Sequence, residues 1–301
     1  MRRSDLWGLR PPFLSRKLIV RTNVPRGTKL IVPTNIQKVI HKLSTIVNWC
    51  LTTDAHLLIY SHGTKCRKGT FMMLPQIGQI PIHPVDIAVD GDPAKVVGGL
   101  SAPSKMPSFG YSIDARRCVT GSRLRNVENS VCSKCYACKG RYVFPNVRAA
   151  MERRYRSLFD SRWTVAMSRA IRSTAINVFR WHDSGDIQNL GHLVNIVNVA
   201  KLTPDVRHWL PTREYGIVRD YLRTYGEFPS NLVVRVSAPM MDGSASAEFP
   251  HTSEVAKTAE YADLRKVQGA NLCPAPTQGN KCLDCRKCWD RETATVVYHA
   301  H

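Results

Sequence analysis

The chain has 301 residues, and its 43 Lys and Arg against 23 Asp and Glu give a formal net charge of +20. Its hydrophobic fraction of 43% and charged fraction of 22% are those of a globular protein, which excludes a collagenous, coiled-coil or disordered chain over most of the length. No apolar run reaches the roughly 18 residues that a membrane-spanning helix needs. We therefore expect a soluble, unsecreted, cytoplasmic protein.

The strong positive charge also indicates a class of partner. A net charge of +20 creates a long-range positive field, and the commonest biological partner of such a field is a phosphate backbone. We expect nucleic acid (DNA or RNA) or a nucleotide as the partner. Acidic membrane surfaces and solubility alone are the alternatives, and the composition does not predict an oligomeric state.

The first third of the chain has few clear patterns. Short strand-like runs occur at residues 17–20, 29–32 and 56–60. Residues 36–51 have partial helical spacing, prolines interrupt the rest, and residues 91–105 have the composition of a linker. We expect residues 1–104 to be a basic N-terminal extension whose structure the sequence does not predict, and residues 105–301 to form the main domain.

From Met106 onward, strands and helices alternate. Strands are predicted at residues 109–113, 176–181, 206–210 and 232–236, and helices at residues 147–172, 190–200 and 214–225. Strands that alternate with helices of this length imply βαβ units and a parallel sheet. The predicted fold class is therefore α/β, a complete or partial parallel barrel of the TIM type, followed by a cysteine-rich, metal-binding C-terminal segment.

Eight of the ten cysteines fall into two groups of matching form. The first group is Cys118, Cys132, Cys135 and Cys138, and the second is Cys273, Cys282, Cys285 and Cys288. A gap of two residues lets neighbouring thiolates turn toward one ion, so this spacing is typical of zinc and iron–sulfur sites. Disulfides are the alternative, which the absence of secretion signals disfavours. We predict that each group binds a metal, either as an iron–sulfur cluster or as zinc.

Polar residues follow the predicted strands. Parallel α/β sheets place their active sites at the carboxyl ends of strands, where the loops converge. Asp183, Ser184, Gly185 and Asp186 follow one strand, and Arg213 follows the next. The two carboxylates are suited to general base catalysis or to binding an amine, with capping of the following helix by Asp186 or Asn189 as the alternative. Arg213 is predicted to bind a carboxylate or phosphate, or to form an ordinary salt bridge to Asp183 or Glu214.

Several large residues of the same strands are predicted to be core residues. Trp163, Trp181 and Trp209 are expected to be buried and not to stack on bases. His182 and His208 are likewise expected to be packed residues, because a lone strand histidine is more often buried than catalytic.

Four ordered motifs resemble the phage gene-product-eighty-eight domain family. They are Cys132–Tyr142, Arg180–Ile187, Leu210–Glu214, and Cys273–Pro276 together with Cys282–Trp289. The likeness covers residues 106–301 and implies a phage or prophage protein that acts in the cytoplasm of a bacterial host. It implies no particular reaction.

A more remote resemblance is to radical S-adenosylmethionine enzymes. In those enzymes three cysteines after the first barrel strand hold a four-iron cluster, and a glycine-rich acidic turn after the second strand holds the methionyl amine. The resemblance implies that Cys132 and Cys135, with Cys118 or Cys138, hold the cluster. It further implies that the turn Ser184–Asp186 binds S-adenosylmethionine. We favour this interpretation: an enzyme that acts on nucleic acid or nucleotide, with Asp183, Asp186 and Arg213 as catalytic residues.

Two other functions are open. The turn after the second strand also resembles that of tRNA-guanine transglycosylases, zinc-containing barrel enzymes, which implies that Asp183 is a catalytic acid and base. The zinc would then be held by Cys282, Cys285 and Cys288 with His299 or Cys273. The third hypothesis is a protein that is not an enzyme, in which zinc at both cysteine groups stabilises a nucleic-acid-binding domain.

Overall fold

The computed structural model describes residues 48–51, 57–60 and 88–300, and the chain forms two compact units, Met1–Met72 and Met73–His301. In the first unit, Asn48–Leu51 (β1) and Leu57–Tyr60 (β2) pair as antiparallel strands. The strand expected at residues 56–60 is confirmed, whereas the last four residues of the segment with helical spacing form β1. The runs at residues 17–20 and 29–32 lie outside the described residues.

The second unit is built on a seven-stranded parallel sheet. Its strands are β3 (Phe109–Tyr111), β4 (Val178–Trp181), β5 (Arg207–Thr212), β6 (Leu232–Met241), β7 (Thr252–Ala256), β8 (Asn271–Leu272) and β9 (Thr295–His299). The strand order is β3-β4-β5-β6-β7-β9-β8, and every pair is parallel. The predicted α/β class is confirmed. Because β3 and β8 stand at opposite ends of this order, the strands of residues 88–300 form an open sheet, and closure into a barrel is not seen among them.

Helices connect most of these strands. They are α1 (Pro93–Val96), α2 (Val119–Leu124), α3 (Pro145–Ser157), α4 (Trp163–Arg172), α5 (Leu190–Leu202), α6 (Tyr215–Tyr225) and α7 (Ala259–Val267). The single helix predicted over residues 147–172 is wrong, since it is divided into α3 and α4. The Asp160 side chain accepts a hydrogen bond from the backbone N–H of Arg162 at 2.9 Å, so it supports a turn where helix was expected.

One face of the sheet packs against α4, α5 and α6 and forms the main core. Trp163, Trp181, Phe179 and Leu193 are fully buried there, which confirms the core prediction for the first two. Strand β6 shows why a parallel sheet forms, because its first seven residues are all buried. A strand that is covered on both faces needs such an uninterrupted run instead of an alternating pattern.

The C-terminal cysteine-rich segment covers part of the opposite face. Trp209 of β5 packs edge-on against Trp289 with their ring centroids 5.1 Å apart, and Tyr298 of β9 stacks nearby. The Trp289 indole donates a hydrogen bond to the carbonyl of Phe179 at 2.8 Å. Strands β7, β8 and β9 and helix α7 were not predicted from the sequence. Strand β8 has only two residues, and the irregular cysteine segment separates it from β9.

The segment predicted as a linker belongs to the second unit. Residues 93–96 form α1, and Val97 is completely buried in the main core. Gly98 lies directly against α3, since a Cβ on it would stand 2.7 Å from the backbone nitrogen of Arg154. Among residues 88–300, no helix combines the length and the apolar character that crossing a membrane requires.

Candidate functional site

Three loops meet at the carboxyl ends of β3, β4 and β5. The backbone N–H of Ile113, after β3, donates to the carbonyl of Ser184, after β4, at 3.1 Å. The backbone N–H of Arg213, after β5, donates to a carboxylate oxygen of Asp186 at 2.9 Å. The predicted convergence of these polar loops is therefore present, and hydrogen bonds between loops hold them together.

The turn after β4 has an unusual backbone. His182 has φ of +52° and Gly185 has φ of +83°, both in the left-handed region. Glycine is required at position 185 for a second reason, because a Cβ there would lie 2.3 Å from Cγ1 of Ile113 and 2.8 Å from its carbonyl oxygen. Non-glycine residues with positive φ persist where surrounding structure holds them, and they cluster at functional sites.

Asp186 is a buried carboxylate, and both of its oxygens accept hydrogen bonds from protein donors. Oδ1 accepts from the hydroxyl of Thr212 at 2.7 Å and from the backbone N–H of Ile187 at 2.8 Å, and Oδ2 accepts from Arg213. Burial raises the pKa of Asp186 to about 6, and these hydrogen bonds oppose the rise. The following helix is capped by Asn189, which accepts from the N–H of His192. Asp186 thus joins two loops and does not cap α5.

Asp183 is buried as well, but one of its oxygens has no protein partner among the described residues. Oδ2 accepts from the hydroxyl of Tyr142 at 2.9 Å, and the main-chain carbonyl accepts from the hydroxyl of Tyr136 at 2.5 Å. Oδ1 of Asp183 and the neighbouring Oγ of Ser184 are buried, and within residues 88–300 neither has a hydrogen-bond partner. Buried polar atoms without partners are rare in native proteins and point to a missing ligand or water.

The first cysteine group lies beside this turn. Tyr136 lies between Cys135 and Cys138, and Tyr142 follows Cys138 by four residues. Because both hydroxyls donate hydrogen bonds to Asp183, the cysteine loop is joined to the acidic turn. Cys118 is the N-cap residue of α2, where burial raises the pKa of its thiol and the Asp186 carboxylate raises it further.

A pocket of about 310 Å³ opens at this group. It is lined by Cys132, Cys135 and Cys138 together with Arg125, Ser133, Lys134 and Lys139. Cys118 is close to Cys132, because a Cβ on Gly121 would stand 3.6 Å from the sulfur of each. Burial raises the pKa of Cys132, and the Arg213 guanidinium opposes that rise. The structure therefore gathers the four cysteines of the first group around one region.

The second cysteine group lies in the C-terminal segment. Cys273 follows β8, and Cys288 lies on a short 3-10 turn, with its sulfur 3.2 Å from the hydroxyl of Tyr298. Burial raises the pKa of the Cys288 thiol to about 12. Burial also raises the pKa of Cys282, and Cys273 reinforces that rise whereas the Arg180 guanidinium opposes it. None of the eight cysteines of the two groups forms a disulfide.

A buried arginine holds this segment on the sheet. Arg235 of β6 is fully buried, and its guanidinium donates to main-chain carbonyls. The acceptors are the carbonyls of Thr252, Lys287, Cys288, Asp290, Thr293 and Ala294, at 2.8 to 3.2 Å. Five of the six belong to residues 287–294, so a single side chain fixes the backbone around and after Cys288.

The thiols do not form a closed metal site. Across residues 88–300, which include all eight grouped cysteines, no three His, Cys, Asp or Glu side chains converge as a ligand set. Metal ligation by either group stays a prediction. The donor chemistry fits, because soft thiolates at these spacings select zinc or iron–sulfur clusters, and metal binding itself commonly orders such loops.

Arg213 forms neither predicted salt bridge among the described residues. Its guanidinium donates to the carbonyl of Ala238 at 3.1 Å, which ties the loop after β5 to the end of β6. Sequence analysis considered Glu214 only as a salt-bridge partner of Arg213. It is a buried carboxylate that accepts from the backbone N–H and the hydroxyl of Thr120 at 2.9 and 2.7 Å. Its position at the start of a predicted helix, after the loop that follows a predicted strand, was the available signal.

Comparison with known proteins gives one match. The family model described as Gene product 88 matches residues 89–291, about two thirds of the chain. No curated protein and no solved structure matches the sequence. The matched range contains the strands β3 to β8, the acidic turn and both cysteine groups. The chain belongs to the gene product 88 family.

Proposed function

We propose that this phage-type protein is an enzyme that holds an iron–sulfur cluster on its first cysteine group and binds S-adenosylmethionine at the turn Asp183–Asp186. The observation that carries the proposal is the pair of buried oxygens, Oδ1 of Asp183 and Oγ of Ser184, that lack partners in the described part of the chain, on a turn bonded to the cysteine loop. An ammonium group carries three donors and no acceptor, so it would satisfy both oxygens.

The first cysteine group supports a bound cluster through its chemistry. Cys132, Cys135 and Cys138 share one solvent-accessible pocket, and Cys118 lies against Cys132. They stand on short 3-10 turns, which have few backbone hydrogen bonds to break when the loop closes on a metal. When bound, the cluster supplies one-electron chemistry that amino-acid side chains lack.

Each neighbouring residue has a role that follows from its contacts. Asp183 and Ser184 accept hydrogen bonds from the ligand's amine. Asp186 positions the loop after β5 by accepting from Thr212 and Arg213, and so acts on the ligand indirectly. The exposed basic side chains at the pocket, Lys134 and Lys139, attract a substrate that carries phosphate, either nucleic acid or nucleotide.

The metal content tests the proposal directly. Protein purified without oxygen should contain iron and sulfide and absorb broadly at about 400 nm. Cys132→Ser should abolish the part of that absorbance that belongs to the first group, whereas Cys66→Ser, outside both groups, should leave it unchanged. Zinc alone, at about two per chain and without colour, would contradict the proposal. That result would favour one of two other functions: zinc-dependent base exchange, or nucleic-acid binding by a protein that zinc stabilises.

Measuring the affinity for S-adenosylmethionine distinguishes the proposed roles of Asp183 and Asp186. Asp183→Asn should lower the affinity for S-adenosylmethionine about tenfold or more in calorimetric titration, because a charged acceptor is lost from the ligand site. The urea midpoint should change little. Asp186→Asn should instead destabilise the protein, since it replaces an acceptor of three protein donors. Equal affinity of the wild type and Asp183→Asn would contradict the assignment of the amine site.

A further inference from the structure

A basic stretch without acidic residues surrounds the pocket of the first cysteine group. Residues 129–151 contain four Lys or Arg and no Asp or Glu. The basic surface is defined by Lys134, Lys139, Arg141 and Arg148, all of them exposed. Lys134 and Lys139 also line the pocket. The positive charge is therefore concentrated where a ligand enters the site.

Neighbouring arginines form salt bridges with acidic residues, and the cations of the basic surface differ from them in this respect. Arg117 and Arg156 both bind Glu152, and Arg116 binds Asp114. In the described part of the chain, none of the four cations of the basic surface forms a salt bridge. Cations without an ion pair keep their full attraction for phosphate, and they release counterions when they bind it.

Two aromatic rings stand among these cations. Phe144 is 52% exposed and Tyr136 is 40% exposed, although large aromatic side chains are usually buried. Phe144 is four residues before Arg148, whose backbone N–H donates to the Phe144 carbonyl, so the two side chains lie on one side of the start of α3. The hydroxyl of Tyr136 anchors its ring to the carbonyl of Asp183.

We propose that the basic surface, with the rings of Phe144 and Tyr136, binds single-stranded nucleic acid and leads one nucleotide to the pocket. Cations that track the backbone, combined with exposed rings on which bases stack, are the elements of single-strand binding. Stacking on Phe144 requires a base that has left the helical stack, which disfavours an intact duplex. The inference rests on the nucleic-acid substrate of the proposed function and names its single-stranded form.

Fluorescence anisotropy of labelled DNA and RNA, each about 20 nucleotides long, tests the surface. The triple variant Lys134→Gln, Lys139→Gln, Arg141→Gln should weaken binding at low salt. Each cation lost should reduce the slope of log affinity against log salt by about 0.7, hence by about 2 in total. Phe144→Ala should weaken single-strand binding about tenfold and leave duplex binding unchanged, and Phe144→Trp should restore it.

A charge-matched variant provides the control. The variant Lys201→Gln, Arg207→Gln, Lys266→Gln removes the same charge from exposed side chains. Arg207 is the first residue of β5, and Lys201 and Lys266 precede β5 and β8, so all three lie toward the amino ends of the strands. This variant should keep at least half of the wild-type affinity. Equal losses in the two triple variants, or duplex binding as strong as single-strand binding, would overturn the proposal. Iron content reports on the proposed cluster separately, since a colourless protein that still binds single strands through Phe144 would refute the cluster alone.

Discussion

At the residue scale, the two aspartates after β4 have opposite roles although they are three positions apart. Asp186 accepts from three protein donors, whereas Asp183 keeps one oxygen without a partner among the described residues. The sequence predicted both as catalytic residues. The residues that distinguish them, Thr212 and Tyr142, stand 26 and 41 positions away in the chain, so no local pattern could reveal the difference.

Gly185 offers a stability prediction at the same scale. Gly185→Ala should lower the free energy of unfolding by about 3 kcal/mol or more, because it combines a left-handed backbone with a clash against Ile113. Gly279 has a left-handed backbone with φ of +62° and ψ of +33°, but no atom lies within 4 Å of the position that a Cβ would occupy there. Gly279→Ala should therefore cost only about 1 kcal/mol in urea unfolding. Equal costs for the two variants would show that the contact with Ile113 is unimportant.

At the scale of the elements, the break between α3 and α4 shows where periodicity misleads. Residues 147–172 keep helical spacing throughout, yet the chain turns at Asp160. Helix α4 then lies against the sheet with eight of its ten residues buried. An aspartate side chain that bonds the backbone two residues later competes with the helix, and the burial of Trp163 favours the turn.

The C-terminal segment provides a prediction about an element. Arg235→Met should destabilise the protein by about 3 kcal/mol or more, because six buried or partly buried main-chain carbonyls lose a charged donor. Amide hydrogen exchange should rise most in residues 287–294, which supply five of those carbonyls. Arg235→Lys should also destabilise, since an ammonium cannot reach six acceptors with three donors. Unchanged exchange in this segment would mean that metal or packing, and not Arg235, holds it.

At the scale of the whole molecule, buried histidines should make the protein sensitive to acid. Burial lowers the pKa of His192 and His208 to about 3, and the pKa of His182 falls well below its usual value for the same reason. These groups stay neutral in the folded state, whereas they bind protons in the unfolded chain below about pH 6.5. Their contribution to stability is therefore complete above about pH 6.5 and is lost as the pH falls toward about 3.

Asp186 opposes the loss of stability that the buried histidines cause at acidic pH, so the net change depends on the size of each contribution. At about pH 5 the burial of His192 and of His208 should each cost about 2 kcal/mol relative to about pH 7. Asp186, with its pKa raised to about 6, gains about 1 kcal/mol over the same interval. Urea unfolding should thus give a lower stability at the more acidic pH. His208→Gln, whose amide can replace the contact with Thr203 at 2.8 Å, should remove about 2 kcal/mol of the difference. A pH-independent stability would contradict the burial of these imidazoles as neutral groups.

Much of the architecture could be predicted because its signals are local. Strand and helix periodicities indicated the alternation from β3 to β6, and matched spacing defined the two cysteine groups. The parallel sheet followed from that alternation, and the family assignment agrees with the motifs around the cysteines and the acidic turn. The net charge of +20 and the basic stretch at residues 129–151 are likewise properties of the sequence alone.

Only the tertiary structure decided which polar side chains at the site have hydrogen-bond partners within the protein and which do not. It paired Glu214 with Thr120, turned Arg213 toward Ala238 and, within residues 88–300, left oxygens of the turn after β4 without partners. It also added β7, β8 and β9 to the sheet. The physical reason is range. Periodicity and spacing act over a few residues, whereas the hydrogen bonds of a buried side chain depend on which distant loops the strand order brings together.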